Sequence, residues 1–160
     1  MAEREPGTEG LQAAGGPVLP EPIVHKTWIR SSRDDVFNAL ATAAGFDAWF
    51  TRGTALEERP GGELRFVWRD WGADRENAES AGIVREHRRP ELFVFQWWLD
   101  HPTTVTLTFE SKENGTLVRV HENGYANTRE GLERCLDCAT GWGEALTLVK
   151  FYLEHGVTYR

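Results

Sequence analysis

The sequence is poor in sulphur, with two cysteines and one methionine in 160 residues. Cys135 and Cys138 lie three apart on a predicted helix, where both point the same way but helix geometry makes a disulfide between them awkward. Reduced, cytoplasmic thiols are the expectation. The cysteine pair has no second ligand pair, and none of the five histidines (His25, His87, His101, His121, His155) completes an HExxH spacing. No metal and no cofactor is therefore expected. GxGxxG and GxxxxGK runs, which would cradle phosphates, are missing, as is the GxSxG elbow of a serine nucleophile.

Positive charge is scarce too. Eighteen basic residues against 25 acidic ones leave a net charge of -7. Binding nucleic acid needs basic neutralisation of phosphates, so a broad nucleic-acid surface is excluded. The short cluster Arg85, Arg88 and Arg89 reads as a turn exposed to water. No apolar run approaches the roughly 18 residues of a membrane span, so no membrane insertion is expected. The N-terminal stretch holds acidic residues and no apolar signal core, so secretion is not indicated.

What the sequence does have is aromatic surface: seven tryptophans and eight phenylalanines, mostly in strand-like segments. The length fits one domain, able to bury about two thirds of its unfolded surface. Residues 1–22 carry glycines and prolines without apolar period and read as a disordered tail. The domain is expected over 23–156, with a short tail at 157–160.

The first strand should begin at Ile23, with Val24 and Ile29 as anchors. Ser32 and Asp35 then open a short helix in capping-box fashion, with Val36, Phe37 and Leu40 as its apolar face. Gly45 interrupts a second helical stretch that carries Phe46, Trp49 and Phe50. Pro60, Gly61 and Gly62 mark a turn. After it Leu64, Phe66 and Trp68 share one strand face. Residues 70–77 read as a polar loop carrying Trp71, before a strand ending near Arg88. Phe93, Phe95, Trp97 and Leu99 share the next inner face. Val105, Leu107 and Phe109 alternate with threonines as in a half-buried antiparallel strand. Past a hairpin turn at 112–115, Val118, Val120 and Glu122 point inward together.

The last element is the longest helix, with Asn127 and Glu130 as its capping pair. Trp142, Leu146, Val149 and Leu153 form its apolar stripe, which Leu132, Cys135 and Cys138 extend upstream. Gly156 closes it. Gly141 and Gly143 each weaken the helix by roughly 1 kcal/mol relative to alanine. Close approach to the sheet, or room for a ligand beside Trp142, would explain them.

Among polar residues Glu122 is the best acid–base candidate, because apolar surroundings favour the neutral form of a carboxyl. The structural alternative is a carboxylate at the rim of the sheet, or one hydrogen-bonded inside it. His121 alternates outward, Gln96 lies off the parity of Phe95 and Trp97, and Asp137 reads as a helix surface charge.

Seven segments in order complete the pattern: FDAWFT (46–51), GGELRFVW (61–68), AGIVREH (81–87), LFVFQWW (92–98), TVTLTFE (104–110), GTLVRVHENGY (115–125) and GWGEALTLVKFYLEHG (141–156). Together they resemble the START-like, helix-grip superfamily. Within it, they resemble small bacterial proteins similar to the C-terminal domain of the activator of the ninety-kilodalton heat-shock chaperone ATPase. The family pattern often has a histidine before the glycine–aromatic pair of the last strand, here Gly124 and Tyr125. This chain has Glu122 at that place.

The resemblance implies an α+β helix-grip fold. A curved antiparallel sheet wraps around a long C-terminal helix, with two short helices after the first strand. Relatives enclose apolar cavities, so a small hydrophobic or aromatic ligand is the expected partner. The expected wall is Trp49, Phe50, Phe66, Trp68, Trp71, Phe95, Trp97, Leu107, Val120, Cys138, Trp142 and Leu146. Two alternatives stand beside this. One is a cyclase or hydrolase acting on an aromatic or polyketide-like substrate through Glu122. The other is a stress-response protein associated with a chaperone partner. A homodimer is an open assembly.

Overall fold

The computed structural model describes residues 16–159. Its elements run β1 (Ile23–Ile29), α1 (Arg33–Ala41), α2 (Ala43–Trp49), β2 (Ala55–Leu56), β3 (Glu63–Trp71), β4 (Glu76–Arg88), β5 (Leu92–Trp97), β6 (Thr103–Lys112), β7 (Gly115–Asn123) and α3 (Arg129–His155). Seven strands make one antiparallel sheet in the order β1-β7-β6-β5-β4-β3-β2. The sheet is curved and open, and α3 packs across it, with α1 and α2 following the first strand. This is the expected α+β helix-grip architecture.

Alternation sets which side chains meet the helix. On β6, Val105, Leu107 and Phe109 are buried while the threonines between them are half-buried, as a strand with one covered face requires. On β1 the buried anchors are Ile23 and Ile29, whereas Val24 is 67% exposed. The expected anchor at Val24 is thus off by one position, because parity with Ile29 selects odd residues. On α3, Leu132 is exposed. It lies one place off the inward stripe, which passes through Gly131.

Capping decides the helix starts. Ser32 Oγ accepts the Asp35 N–H at 3.1 Å. Thr128, not Asn127, caps α3, its Oγ1 accepting the Gly131 N–H at 3.0 Å. Both residue types cap well; the helix starts one residue later than expected, at Arg129, which puts Thr128 at the cap. At the far end Gly156 takes φ 67°, the left-handed cap glycine favours. Gly45 does not interrupt α2 but sits inside it. A Cβ there would lie 1.6 Å from the Asn38 carbonyl oxygen, so only glycine lets α2 start so close to α1.

Two further expectations change. The loop expected at 70–77 shortens to a turn at 72–75: β3 continues to Trp71 and β4 begins at Glu76, with a register shift between Trp68 and Trp71. That bulge turns Trp71 inward onto Phe50, ring centroids 4.8 Å apart, as bulges do when they re-aim a side chain. Leu99 is not inward but 51% exposed, because β5 ends at Trp97 and Trp98 takes φ 54°.

Ordered structure also begins before Ile23. Val18 bridges Ala126, and the Leu19 N–H donates to the Tyr125 carbonyl at 2.7 Å. A single bridge to a remote partner leaves no period in sequence. The expected disorder of residues 1–15 lies outside the described residues. At the other end, the Tyr159 ring packs 5.6 Å from Trp71 and its hydroxyl donates to the Phe50 carbonyl.

Asp47 ties α2 to the start of β2. Its carboxylate accepts from the Thr51 hydroxyl at 2.8 Å and from the Gly53 and Thr54 N–H groups at 3.1 Å each. Partial burial acts to raise its pKa, but the bonds from Thr51, Thr54 and Gly53 outweigh it and hold the carboxyl below its usual 3.8. A lowered folded-state pKa contributes stability that is present above the ordinary value and fades as pH falls through the lowered one. Asp47→Ala is expected to cost about 1–2 kcal/mol at neutral pH. Urea unfolding carried from neutral pH to strong acid should show the gap from wild type closing below about pH 4. A gap that stays constant would contradict this role.

Candidate functional site

Glu122 stands at the centre of the site. Its inward parity on β7 buries it completely, at 0% exposure. Register brings neighbours to it: Val105 pairs with Glu122 across β6–β7, and Trp97 pairs with Thr103 across β5–β6. Trp97, Thr103 and Glu122 therefore gather at one end of three adjacent strands. Gly124, at φ 110°, turns the chain just past β7 and returns Tyr125 to the same point. From α3, Cys138 and Trp142 lie one turn apart on the face towards the sheet.

Five donors converge on the carboxylate. Oε1 accepts from Trp97 Nε1 at 2.8 Å, Thr103 Oγ1 at 2.6 Å and the Tyr125 hydroxyl at 2.9 Å. Oε2 accepts from Trp142 Nε1 at 2.7 Å and Cys138 Sγ at 3.3 Å. A carboxylate is an acceptor-only group, and a buried one costs several kcal/mol unless bonded. This shell of donors meets that need. Burial, then the Glu122 charge, pushes the Tyr125 hydroxyl far above its ordinary pKa, and the Cys138 thiol likewise. Both keep their protons, so Cys138 is a hydrogen-bond donor and not a nucleophilic thiolate.

Above this centre, between sheet and α3, lies a cavity of about 320 Å³, within the range of small-molecule sites. Phe66, Trp68, Phe95 and Trp97 form its sheet wall, with Phe46 and Phe50 from the α2 end. Tyr125, Cys138, Gly141, Trp142 and Ala145 close the other side. Glu76, Arg134 and Asp137 border it with charge. Arg134 lies over the Trp98 ring, 5.8 Å from its centroid. A Cβ on Gly141 would meet nothing within 4 Å, so that glycine leaves space open beside Trp142.

Of the twelve side chains expected on the wall, eight border the cavity: Phe50, Phe66, Trp68, Trp71, Phe95, Trp97, Cys138 and Trp142. Trp49, Leu107, Val120 and Leu146 pack in the core instead, each at most 1% exposed. Trp49 is turned away, its indole N–H donating to the Ala39 carbonyl at 3.0 Å. Asp137, expected as a plain surface charge, lies at the cavity edge. His121 is exposed as expected. Gln96 is buried on the convex face, where Arg85 and Thr104 hold it away from Glu122. Thr103 and Tyr125 were not singled out in sequence. Thr103 shares the inward parity of Val105 and Leu107, which is the signal that points to it. Among the described residues no three His, Cys, Asp or Glu side chains are grouped to hold a metal ion, and no helix is long and apolar enough to cross a membrane.

A curved antiparallel sheet gripping one long helix around an aromatic cavity defines a START-like, helix-grip protein. Residues 30–154 match the family described as "Activator of Hsp90 ATPase homolog 1-like protein", and the chain belongs to it. No curated protein matches its sequence. Among solved structures, the Aha1 dimer from Colwellia psychrerythraea is similar at 22% identity and a TM-score of 0.70, covering 85% of this chain and 98% of that one. Protein SSP2350 from Staphylococcus saprophyticus is 25% identical with a TM-score of 0.70, covering 88% and 96%. Bacillus halodurans protein BH1534 is 20% identical with a TM-score of 0.70, covering 86% and 99%.

Proposed function

We propose that this chain binds one small, largely apolar, ring-containing molecule between sheet and α3, without acting on it. The observation that carries this reading is the cavity of about 320 Å³ walled by aromatic rings and left open at Gly141. Burying about 300 Å² of ligand at about 25 cal/mol per Å² supplies some 7 kcal/mol before the costs of association. Those costs leave the net affinity weaker than the roughly 10 μM that about 7 kcal/mol alone would give.

Glu122 serves this site as an organiser. Four of its five bonds fix Trp97, Tyr125, Cys138 and Trp142, all of which border the cavity. Both its oxygens are engaged and it does not border the cavity itself, so a cyclase or hydrolase working through it gains no support. The Tyr125 hydrogen is directed to Glu122. A chaperone partner or a homodimer for this chain rests on family likeness alone, whereas the small-molecule reading rests on the cavity.

The test is a titration with fatty acids, flavonoids and polycyclic aromatics, followed by quenching of the intrinsic tryptophan fluorescence, with native mass spectrometry for any molecule retained through purification. At least one ring-containing compound should bind with one-to-one stoichiometry. If none of them binds, the reading fails.

A further inference from the structure

Past α3 the chain turns back on the cavity wall. Gly156 takes it out of the helix at φ 67°, and residues 157–159 run on outside any helix or strand, all of them exposed. A terminal segment of this kind is poorly ordered unless something ties it down. Tyr159 does so. Its ring meets the Trp71 ring edge-on, 5.6 Å between centroids, and its hydroxyl donates to the Phe50 carbonyl at 3.1 Å. That carbonyl belongs to the C-cap of α2, where helix geometry leaves acceptors without a partner in the helix.

Both residues it touches border the cavity, while Tyr159 itself does not. The tail therefore braces the wall from outside the space. Trp71 stands where that wall meets solvent. It is half-buried, and its cross-strand partner Glu76 also borders the cavity and is exposed. The strand gives Trp71 little support, because the register shift after Trp68 interrupts the ladder just before it. Two edge contacts hold the ring instead, one to Phe50 at 4.8 Å and one to Tyr159.

We infer that Tyr159 is a latch: it holds the Trp71 ring in the wall at the Phe50 end of the cavity, and its release lets a molecule pass there. The tail that carries it has no ladder or helix bonds of its own to break, so the latch opens by giving up one ring contact and one exposed hydrogen bond. A latch that is shut over the empty cavity and shut over the filled one weighs equally on both states. It sets how fast a molecule enters and leaves, and does not change how tightly it is held. Tyr159 is thus a positioning residue, acting on the site through Trp71.

This inference rests on the ligand-binding reading above, and two readouts separate them. In the first, the chain is labelled with fluorotryptophan, and the Trp71 fluorine signal is identified by its loss in Trp71→Phe. A soluble paramagnetic agent should broaden that signal more in Tyr159→Ala than in wild type, with the Trp97 and Trp142 signals unchanged. In the second, binding and release of N-phenylnaphthylamine, a neutral aromatic probe, are timed by stopped flow, with melting temperatures as the folding control. In Tyr159→Ala both rates should rise about fivefold, the weight of one aromatic pair, and their ratio should stay at the wild-type value. Tyr159→Phe keeps the ring contact and loses the bond to Phe50, so its rates should fall between the two. A Trp71 signal as shielded in Tyr159→Ala as in wild type, or rates that do not change, overturns the latch while leaving the container reading intact. A rise in the release rate alone overturns it too, since Tyr159 would then contribute to affinity and not to passage. A probe that binds neither protein counts against the container reading, and the latch falls with it.

Discussion

Replacing Glu122 with glutamine should destabilise the fold by about 3–5 kcal/mol, although the two side chains have almost the same shape. The carboxylate accepts at both oxygens: three donors meet Oε1 and two meet Oε2. Glutamine has one acceptor oxygen and one amide nitrogen with two hydrogens. If the nitrogen takes the Oε2 position it faces the Trp142 N–H, and if it takes the Oε1 position it faces the Trp97 N–H. Either way an indole, which can only donate, is left unbonded against another donor. The remaining bonds lose their charge assistance, which roughly doubles the strength of such contacts. Removing a buried charge does recover a desolvation cost, but the loss of paired donors outweighs it. A fall of roughly 10–15 °C in melting temperature corresponds to this range for a domain of this size. Urea unfolding at neutral pH measures it directly. A variant as stable as wild type would show that the donors have other partners.

Trp142→Ala should produce the other large loss. The ring is 8% exposed and packs 6.0 Å from Trp97, centroid to centroid. Truncating it removes a large apolar area and leaves a void, which costs about 3–5 kcal/mol in packed cores. Oε2 of Glu122 also loses its indole donor. Trp142→Phe separates the two effects, since it keeps most of the ring surface and removes only the N–H. It should cost about 1–2 kcal/mol, the share due to the hydrogen bond. Both variants should also weaken the best compound from the fluorescence titration. An alanine variant within 1 kcal/mol of wild type would mean that the ring is not packed as described.

How much of this was legible in sequence depends on the range of each signal. Strand parity placed Phe66, Trp68, Phe95, Trp97 and Glu122 inward, and helical spacing did the same for Cys138 and Trp142, because both are local periods. The same arithmetic fails wherever one residue shifts the phase. Trp71 needed the bulge after Trp68, and Leu99 was lost to the positive φ of Trp98, and neither departure alters composition. Capping residues at neighbouring positions are likewise ambiguous, so Asn127 and Thr128 were separated only by the bond from the Gly131 N–H to Thr128 Oγ1. The meeting of Glu122 with its five donors is a matter of register across three strands and the helix. Sequence offered an inward carboxyl and inward indoles as separate facts. It did not say that each answered the other's hydrogen-bonding need. Trp49, Leu107, Val120 and Leu146 show the opposite limit: inward parity does not distinguish a side chain bordering a cavity from one filling the core.

The account depends on the space between sheet and α3 being open and used, and Gly141 tests this most directly. It borders the cavity, and an added Cβ would meet nothing within 4 Å. Gly141→Leu should therefore place its side chain in the ligand's space without a clash. It also replaces a glycine inside a helix, which should keep or raise stability by up to about 1 kcal/mol. The measurement is a paired binding isotherm, wild type against Gly141→Leu, for the tightest compound of the panel, with melting temperatures recorded on the same samples. The predicted result is a variant that melts no lower than wild type and binds at least about tenfold more weakly, the effect of about 1.4 kcal/mol. A variant that is equally stable and binds as tightly as wild type would contradict the claim that ligand occupies this cavity.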